Sequence, residues 1–233
     1  MLPPLPDGRV RPAVLAPAAV LSSAATAVDP LDPDVVSLAA DLLATQRSEP
    51  GCVGLAAPQL GVPWRLLSLD VTGHPKARTG HGPMVLANPI VVAATRWERG
   101  REGCLSVPDL TGDVKRATRL VLRAVVPGTG EQVEISTDAF EARALQHEVD
   151  HLDGLLFLDK VAGAHALHAR QVYLYRDTVL RSTRRAPMPG PGGGTGIRRG
   201  LKSPGREACG FDSRPGHPGG LCPERERAPC RCR

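Results

Sequence analysis

The stretch from Gln132 to Gly154, "QVEISTDAFEARALQHEVDHLDG", changes its period halfway. Its first seven residues alternate polar and apolar, as a half-buried strand requires. The alternation then breaks and a helix is expected. Thr137 or Asp138 is the candidate cap, Asp138 with Glu141 resembles a capping box, and Gly154 is the candidate residue just past the helix. A strand here feeds straight into a helix.

Further elements can be read along the chain. "RLVLRAVV" (119–126) alternates and joins 132–138 through the turn "PGTG", so the two form a hairpin. "WRLLSLDV" (64–71) and "MVLANPIVV" (84–92) are short apolar runs bounded by Gly and Pro and read as strands, with "GHPKARTGHG" as the loop between them. "DPDVVSLAADLLATQ" (32–46) reads as a helix. Asp32 is its N-cap, Pro33 its first residue, and Val35, Ala39, Leu42 and Leu43 its buried face; "EPG" ends it. "LLFLDKV" is a short strand or turn, and "ALHARQVYLYRDTVLR" a last helix. Residues 1–30, rich in Pro and Ala, are expected to wrap the surface. Aromatic residues make up only 3% of the chain, so the core must come from Val, Leu and Ala.

Charge divides the chain. Its 233 residues suit one domain of ~150–200 residues plus appendages. The formal net charge is +5, but from Arg181 onward there are 12 Lys/Arg against 4 Asp/Glu, which leaves the rest at −3. The basic balance belongs to the tail and argues little for nucleic-acid binding by the globular part. From about Arg184 the composition collapses into Pro, Gly, Arg and Ser, which cannot offset its chain entropy by burial. The expectation is a domain over 1–183 and a disordered basic tail over 184–233. Four of the six cysteines lie in that tail, at spacings unlike common zinc fingers. Only Cys52 and Cys104 lie outside it, which is no disulfide framework and suits a reducing, cytoplasmic setting. No run of ~18 apolar residues could span a membrane. "AVLAPAAVLSSAA" follows Arg9 and Arg11 as a signal peptide would, but Pro12 and Pro17 interrupt it.

Chemistry concentrates in "HEVDH". His147 and His151 are four residues apart and share a helix face, so they can hold one ion. Glu148 lies about 100° around the helix from His147, where it can reach a water beside the ion without being a ligand. A catalytic site needs at least one more ligand and an open position. Downstream candidates are Asp159, His165 and His168; upstream stands Cys104, in "EGCLSVPD". "GCVGLAAPQLGVP" (51–63) is Gly-rich and carries Gln59, which suggests a backbone held close to a ligand or, more simply, a turn into a strand.

Three segments, "VGLAAPQ", "EGCLS" and "QHEVDHLDG", occur together and in order, and they resemble the signature motifs of peptide deformylase: G-x-G-L-A-A-x-Q, E-G-C-[LS]-S and Q-H-E-x-D-H-[LV]-x-G. The resemblance runs from about Val14 to Val161. It implies an α+β fold, with antiparallel sheets packed around a central helix that carries the histidine motif. It also implies removal of formyl from the N-terminal formyl-methionine of new proteins. By position, it makes Cys104, His147 and His151 metal ligands and Glu148 the acid/base. Gln59 and the Leu105 N–H would stabilise the oxyanion. Val53, Gly54 and Gly103 would hold the peptide as an added strand, and Phe140 and Ala144 would line the methionine pocket. Glu102 and Arg116 would pair beneath the site. The implied metal is Fe²⁺, with Ni²⁺, Co²⁺ or Zn²⁺ as substitutes, and the implied partner is a formyl-methionyl nascent peptide met by a monomer, with the ribosome reached through the basic tail. Two departures stand out: Cys52 replaces the first Gly of the first motif, and Thr111 stands where many members have Arg. The rival readings are a zinc endopeptidase with a downstream third ligand, a non-catalytic ribosome-associated module, and a deformylase for another formylated substrate.

Overall fold

The structure, a computed structural model, describes residues 2–78 and 80–170. The expected tail over 184–233 and all of the expected last helix beyond Arg170 lie outside them. Six antiparallel strands form the sheet: β1 Gly54–Ala56, β2 Leu66–Leu69, β3 Met84–Cys104, β4 Val107–Val125, β5 Gln132–Asp138 and β6 Leu167–Ala169. The order is β1-β2-β3-β4-β5, with β6 added on β4. Helix α1 spans Pro33–Ser48, α2 Ala139–Leu152 and the single turn α3 Phe157–Lys160.

The sheet is packed on both faces near β2. Leu66, Val85 and Ala87 meet Val35, Leu38, Ala39, Leu42 and Leu43 of α1. Leu67, Leu69, Met84 and Leu86 meet Ala142, Leu145, Val149 and Leu152 of α2. That is why these strands read as continuous apolar runs: covering both faces removes the need for alternation. At β4–β5 only one face is covered, and Leu120, Leu122 and Ile135 alternate with exposed residues. Among the described residues the large buried side chains are mostly Leu, with a single Phe157, as the shortage of aromatics required.

Several expectations hold in detail. Asp32 caps α1, its carboxylate accepting from the Asp34 N–H at 2.8 Å, with Pro33 opening the helix. The β4–β5 hairpin pairs Leu122 with Ile135. Residues 2–30 run over the surface and are pinned by Val14 N–H to Gln59 O (2.7 Å) and Ala16 N–H to Ser106 O (2.9 Å), with Leu21 sunk into the core.

Other expectations need correction. β3 continues twelve residues past Val92, and β4 begins twelve residues before Arg119. Much of the extra length pairs with itself in a hairpin whose β3 side is exposed and charged, so no alternation marks it. "LLFLDKV" forms a helical turn, because the Asp159 carboxylate accepts from the Leu156 N–H at 2.8 Å. The start of the expected last helix is instead a 3-10 turn (Ala164–Ala166) followed by β6, drawn out by pairing with Leu110–Gly112 of β4. The capping box at α2 is also absent. Glu141 accepts instead from the Thr137 hydroxyl (2.5 Å) and from the His81 N–H (2.9 Å), and lies 2.8 Å from His81 Nδ1, tying the 72–83 loop to the helix.

Candidate metal centre and substrate cleft

The end of α2 sets the site. Past Asp153 the chain turns left-handed at Gly154 (φ 74°), with Leu155 N–H donating to Asp150 O (2.8 Å) and Gly154 N–H to His151 O (3.3 Å). This pair of bonds satisfies the last carbonyls of the helix. The rotation of α2 is fixed by Gln146. Its Nε2 donates to Ala117 O (2.8 Å) and its Oε1 accepts from Ala117 N–H (3.0 Å), so the side chain continues the β4 ladder where β5 has ended. Fixed in this way, α2 turns His147, Glu148 and His151 inward, all buried.

Cys104 reaches them from the β3–β4 hairpin. A register shift after Gly103 pairs Cys104 with Val107 and leaves Leu105 and Ser106 as the turn. Cys104 Sγ then lies 3.2 Å from His151 Nε2. The ligand atoms of Cys104, His147 and His151 all lie within 4.8 Å of one another, and all three residues are buried. None of the downstream alternatives joins this group. Asp159 serves its own helical turn, and His168 faces Asp113 at 3.2 Å.

The surroundings prepare the three donors. His147 Nδ1 lies 3.0 Å from Glu102 Oε2, so the carboxylate takes that N–H and leaves the Nε2 lone pair for the cluster. Burial would raise the Glu102 carboxyl, but hydrogen bonds from His147 and Arg116 hold it down to about 2. Burial would likewise raise the Cys104 thiol, but the charge of His151 and hydrogen bonds from both imidazoles pull it well below its ordinary value. One sulfur and two imidazole rings thus converge, a donor set suited to a divalent transition metal. Burial pushes Glu148 up to about 7, against the pull of the two histidines. Its Oε2 is buried with no hydrogen-bond partner, and its Oε1 would lie 2.5 Å from a Cβ on Gly54.

Gln59 approaches from the 3-10 turn Ala57–Leu60. Its Oε1 accepts from the Ala56 N–H (2.9 Å), which aims Nε2 at Cys104 Sγ (3.3 Å) and Ser106 Oγ (3.4 Å). Above the donors opens a cavity of about 270 Å³. Val53, Gly54 and Gln59 line one side; Gly103, Cys104 and Leu105 line another; Phe140, Ala144, His147 and Glu148 belong to α2. Of the residues that the resemblance makes catalytic, ligating or substrate-binding, His151 alone is not on the cavity wall.

Sequence reasoning missed several neighbours. The His74 ring stacks on Phe140 at 3.8 Å between centroids. Arg143 donates to Glu102 Oε1 (2.8 Å), and Asp150 receives Arg116. Arg170, brought in by β6, lines the cavity too. None of these lies next to its partner in sequence, so no local pattern announces them. Cys52 also lines the cavity. Its thiol donates to Gly54 O at 3.1 Å, and burial, reinforced by the charge of Glu148, raises its pKa, which keeps it protonated and favours a packing role.

A buried cysteine sulfur and two imidazoles, beside a buried carboxylate at the foot of an open cleft, are the makings of a metal-dependent hydrolase on an α+β scaffold. The chain belongs to the polypeptide deformylase family, whose sequence profile matches residues 10–166. The peptide deformylase of Rhizobium meliloti is 38% identical over 174 residues, 74% of this chain and 91% of that one. That of Desulfitobacterium hafniense is 40% identical over 141 residues, 60% of this chain and 87% of that one. A crystal structure of the class I type b enzyme of Acinetobacter baumannii with Met-Ala-Ser bound superimposes with a TM-score of 0.59 at 32% identity, covering 65% of this chain and 99% of that one. The enzyme of Thermotoga maritima gives 0.60 at 29%, over 66% and 99%. The chain is accordingly a hydrolase that removes the N-formyl group from nascent peptides, and Cys104, His147 and His151 are grouped as residues that could hold a metal ion. The endopeptidase reading fails, because its third ligand was to come from downstream. No described helix is long and apolar enough to cross a membrane.

Proposed function

We propose that the chain deformylates formyl-methionyl peptides with one Fe²⁺ held by Cys104 Sγ and the imidazoles of His147 and His151. The carrying observation is the buried triad of donors within 4.8 Å, set beside the unpartnered Oε2 of Glu148. When bound, a divalent ion supplies Lewis acidity that brings the pKa of water toward ~7. Glu148 takes the water's proton as the oxygen attacks the formyl carbon. Gln59 Nε2 and the Leu105 N–H donate to the developing oxyanion, and losing one such donor typically costs ~3–4 kcal/mol. Glu148 then hands its proton to the leaving amine, so formate and a free methionyl N-terminus result. The peptide lies as an added strand against Val53, Gly54 and Gly103, with its methionine side chain against Phe140 and Ala144. The Met-Ala-Ser held by the Acinetobacter baumannii relative supports a tripeptide-sized site.

The catalytic domain covers 1–183 and acts as a monomer in the cytoplasm. The segment 184–233, by its basic composition, suits weak and salt-sensitive attraction to ribosomal RNA. The test is turnover of formyl-Met-Ala-Ser by protein purified without air, together with its metal content. Near-stoichiometric iron and rapid formate release are expected; metal-loaded protein that releases no formate would overturn the reading.

A further inference from the structure

Arg170 breaks an ordinary rule of burial. It is only 7% exposed, yet it forms no ion pair with any carboxylate among the described residues. Its position is set by the sheet. Leu167–Ala169 pairs with Leu110–Gly112, and Arg170 N–H donates to Asp109 O at 2.9 Å. The guanidinium is thereby laid across Gly103, so close that a Cβ there would sit 2.2 Å from Nη2. Nη2 reaches only backbone carbonyls, Cys104 O at 3.2 Å and Leu110 O at 3.5 Å. Nε is buried with no hydrogen-bond partner among the described residues.

No carboxylate of the cleft walls pairs with it among the described residues. The carboxylates on the cleft walls are Glu102 and Glu148. Glu102 is already taken by Arg116, Arg143 and His147. Arg101, also on the wall, is matched by Asp113, while Lys76 adds a further positive charge. A desolvated guanidinium with open donors is costly until a carboxylate meets its planar fork.

We infer that Arg170 is a specificity-determining residue: it receives a carboxylate carried by the peptide downstream of the formyl-methionine. The cleft then favours substrates with Asp or Glu as the second or third residue. The inference rests on the proposed placement of the peptide along Gly103. If that placement is wrong at the level of function, formyl-Met-Ala-Ser amide is not turned over at all; if only the present inference is wrong, it is turned over without acidic preference.

The experiment measures kcat/KM of the metal-loaded full chain on amidated formyl-Met-Ala-Ser, formyl-Met-Asp-Ser, formyl-Met-Ala-Asp and formyl-Met-Ala-Lys. The better acidic peptide should exceed the serine peptide by ~10- to 100-fold, the usual worth of a charge-assisted pair, and mostly through KM. Arg170→Gln should bring the acidic-to-neutral ratio close to one, and Arg170→Glu should invert it towards the lysine peptide. Should Arg170→Gln fail to fold, Arg170→Lys must still lower the ratio severalfold, since lysine keeps the charge but loses the fork. A wild-type ratio within about twofold of one overturns the inference, as does a ratio that these substitutions leave unchanged.

Discussion

Replacing Arg116 with Met tests the foundation of the metal site. Arg116 is 4% exposed and grips Glu102 with two bonds, Nε to Oε1 at 3.0 Å and Nη2 to Oε2 at 2.9 Å, while Nη1 holds Asp150. Methionine fills similar space but leaves two buried carboxylates without their shared cation. Among the described residues Glu102 keeps Arg143 and His147, and Asp150 keeps Lys160 at 3.5 Å. Breaking a buried pair from one side costs ~3–5 kcal/mol. For a chain of this size that is a Tm lower by roughly 6–20 °C. Glu102 also orients His147, so metal affinity should weaken by ~10- to 100-fold, the typical effect of disturbing a ligand's hydrogen-bond partner. Urea unfolding at fixed metal concentration gives the first number, with m expected to stay constant. Metal competition against a chelator gives the second. A double-mutant cycle with Asp150→Asn should return a coupling of ~0.5–3 kcal/mol. A loss below ~1 kcal/mol with strictly additive single effects would refute the idea that this network supports the site.

Four further outcomes are expected. Ala at Cys104, His147 or His151 should deplete the metal, read by elemental analysis, and an Ala variant that retains a full complement would remove that residue from the ligand set. Glu148→Gln should keep near one metal per chain while turnover falls by ~10²–10⁴; unchanged formate release would end its role as proton carrier. Gly154→Ala should destabilise by at least ~1–2 kcal/mol, since Gly154 has φ 74° and an added Cβ would lie 2.7 Å from the Ser23 carbonyl carbon; an unshifted denaturation midpoint would contradict this. The Fe²⁺ form should lose activity in air faster than the Ni²⁺ form, through oxidation of iron and of Cys104; equal half-lives would count against iron as the native ion.

Much of the fold could be read because its causes are local. The cap at Asp32, the strand at Gln132–Asp138, the turn at Gly154 and the inward pair on α2 each follow from a few adjacent residues. The site could be named from three motifs, but at the level of residues the third ligand stayed open between Cys104 and residues downstream. Helix periodicity ties His147 to His151, and nothing local ties either to a cysteine more than forty residues away.

Only the tertiary structure decided what pairing at a distance controls. The β3–β4 hairpin runs far beyond its apolar segments, because backbone hydrogen bonds to a partner strand sustain it where burial does not. Cys104 meets His151 because a register shift at Gly103 places it at the hairpin's end. Arg116 and Asp150 are 34 residues apart, and each is a plain charged residue until the fold removes water from both. Arg170 was read as part of a helix; pairing with β4 made its segment a strand and carried its charge into the cleft. Sequence periodicity records which face of an element is buried, whereas register and long-range charge pairing depend on which element arrives opposite, and that is settled only when the chain closes on itself.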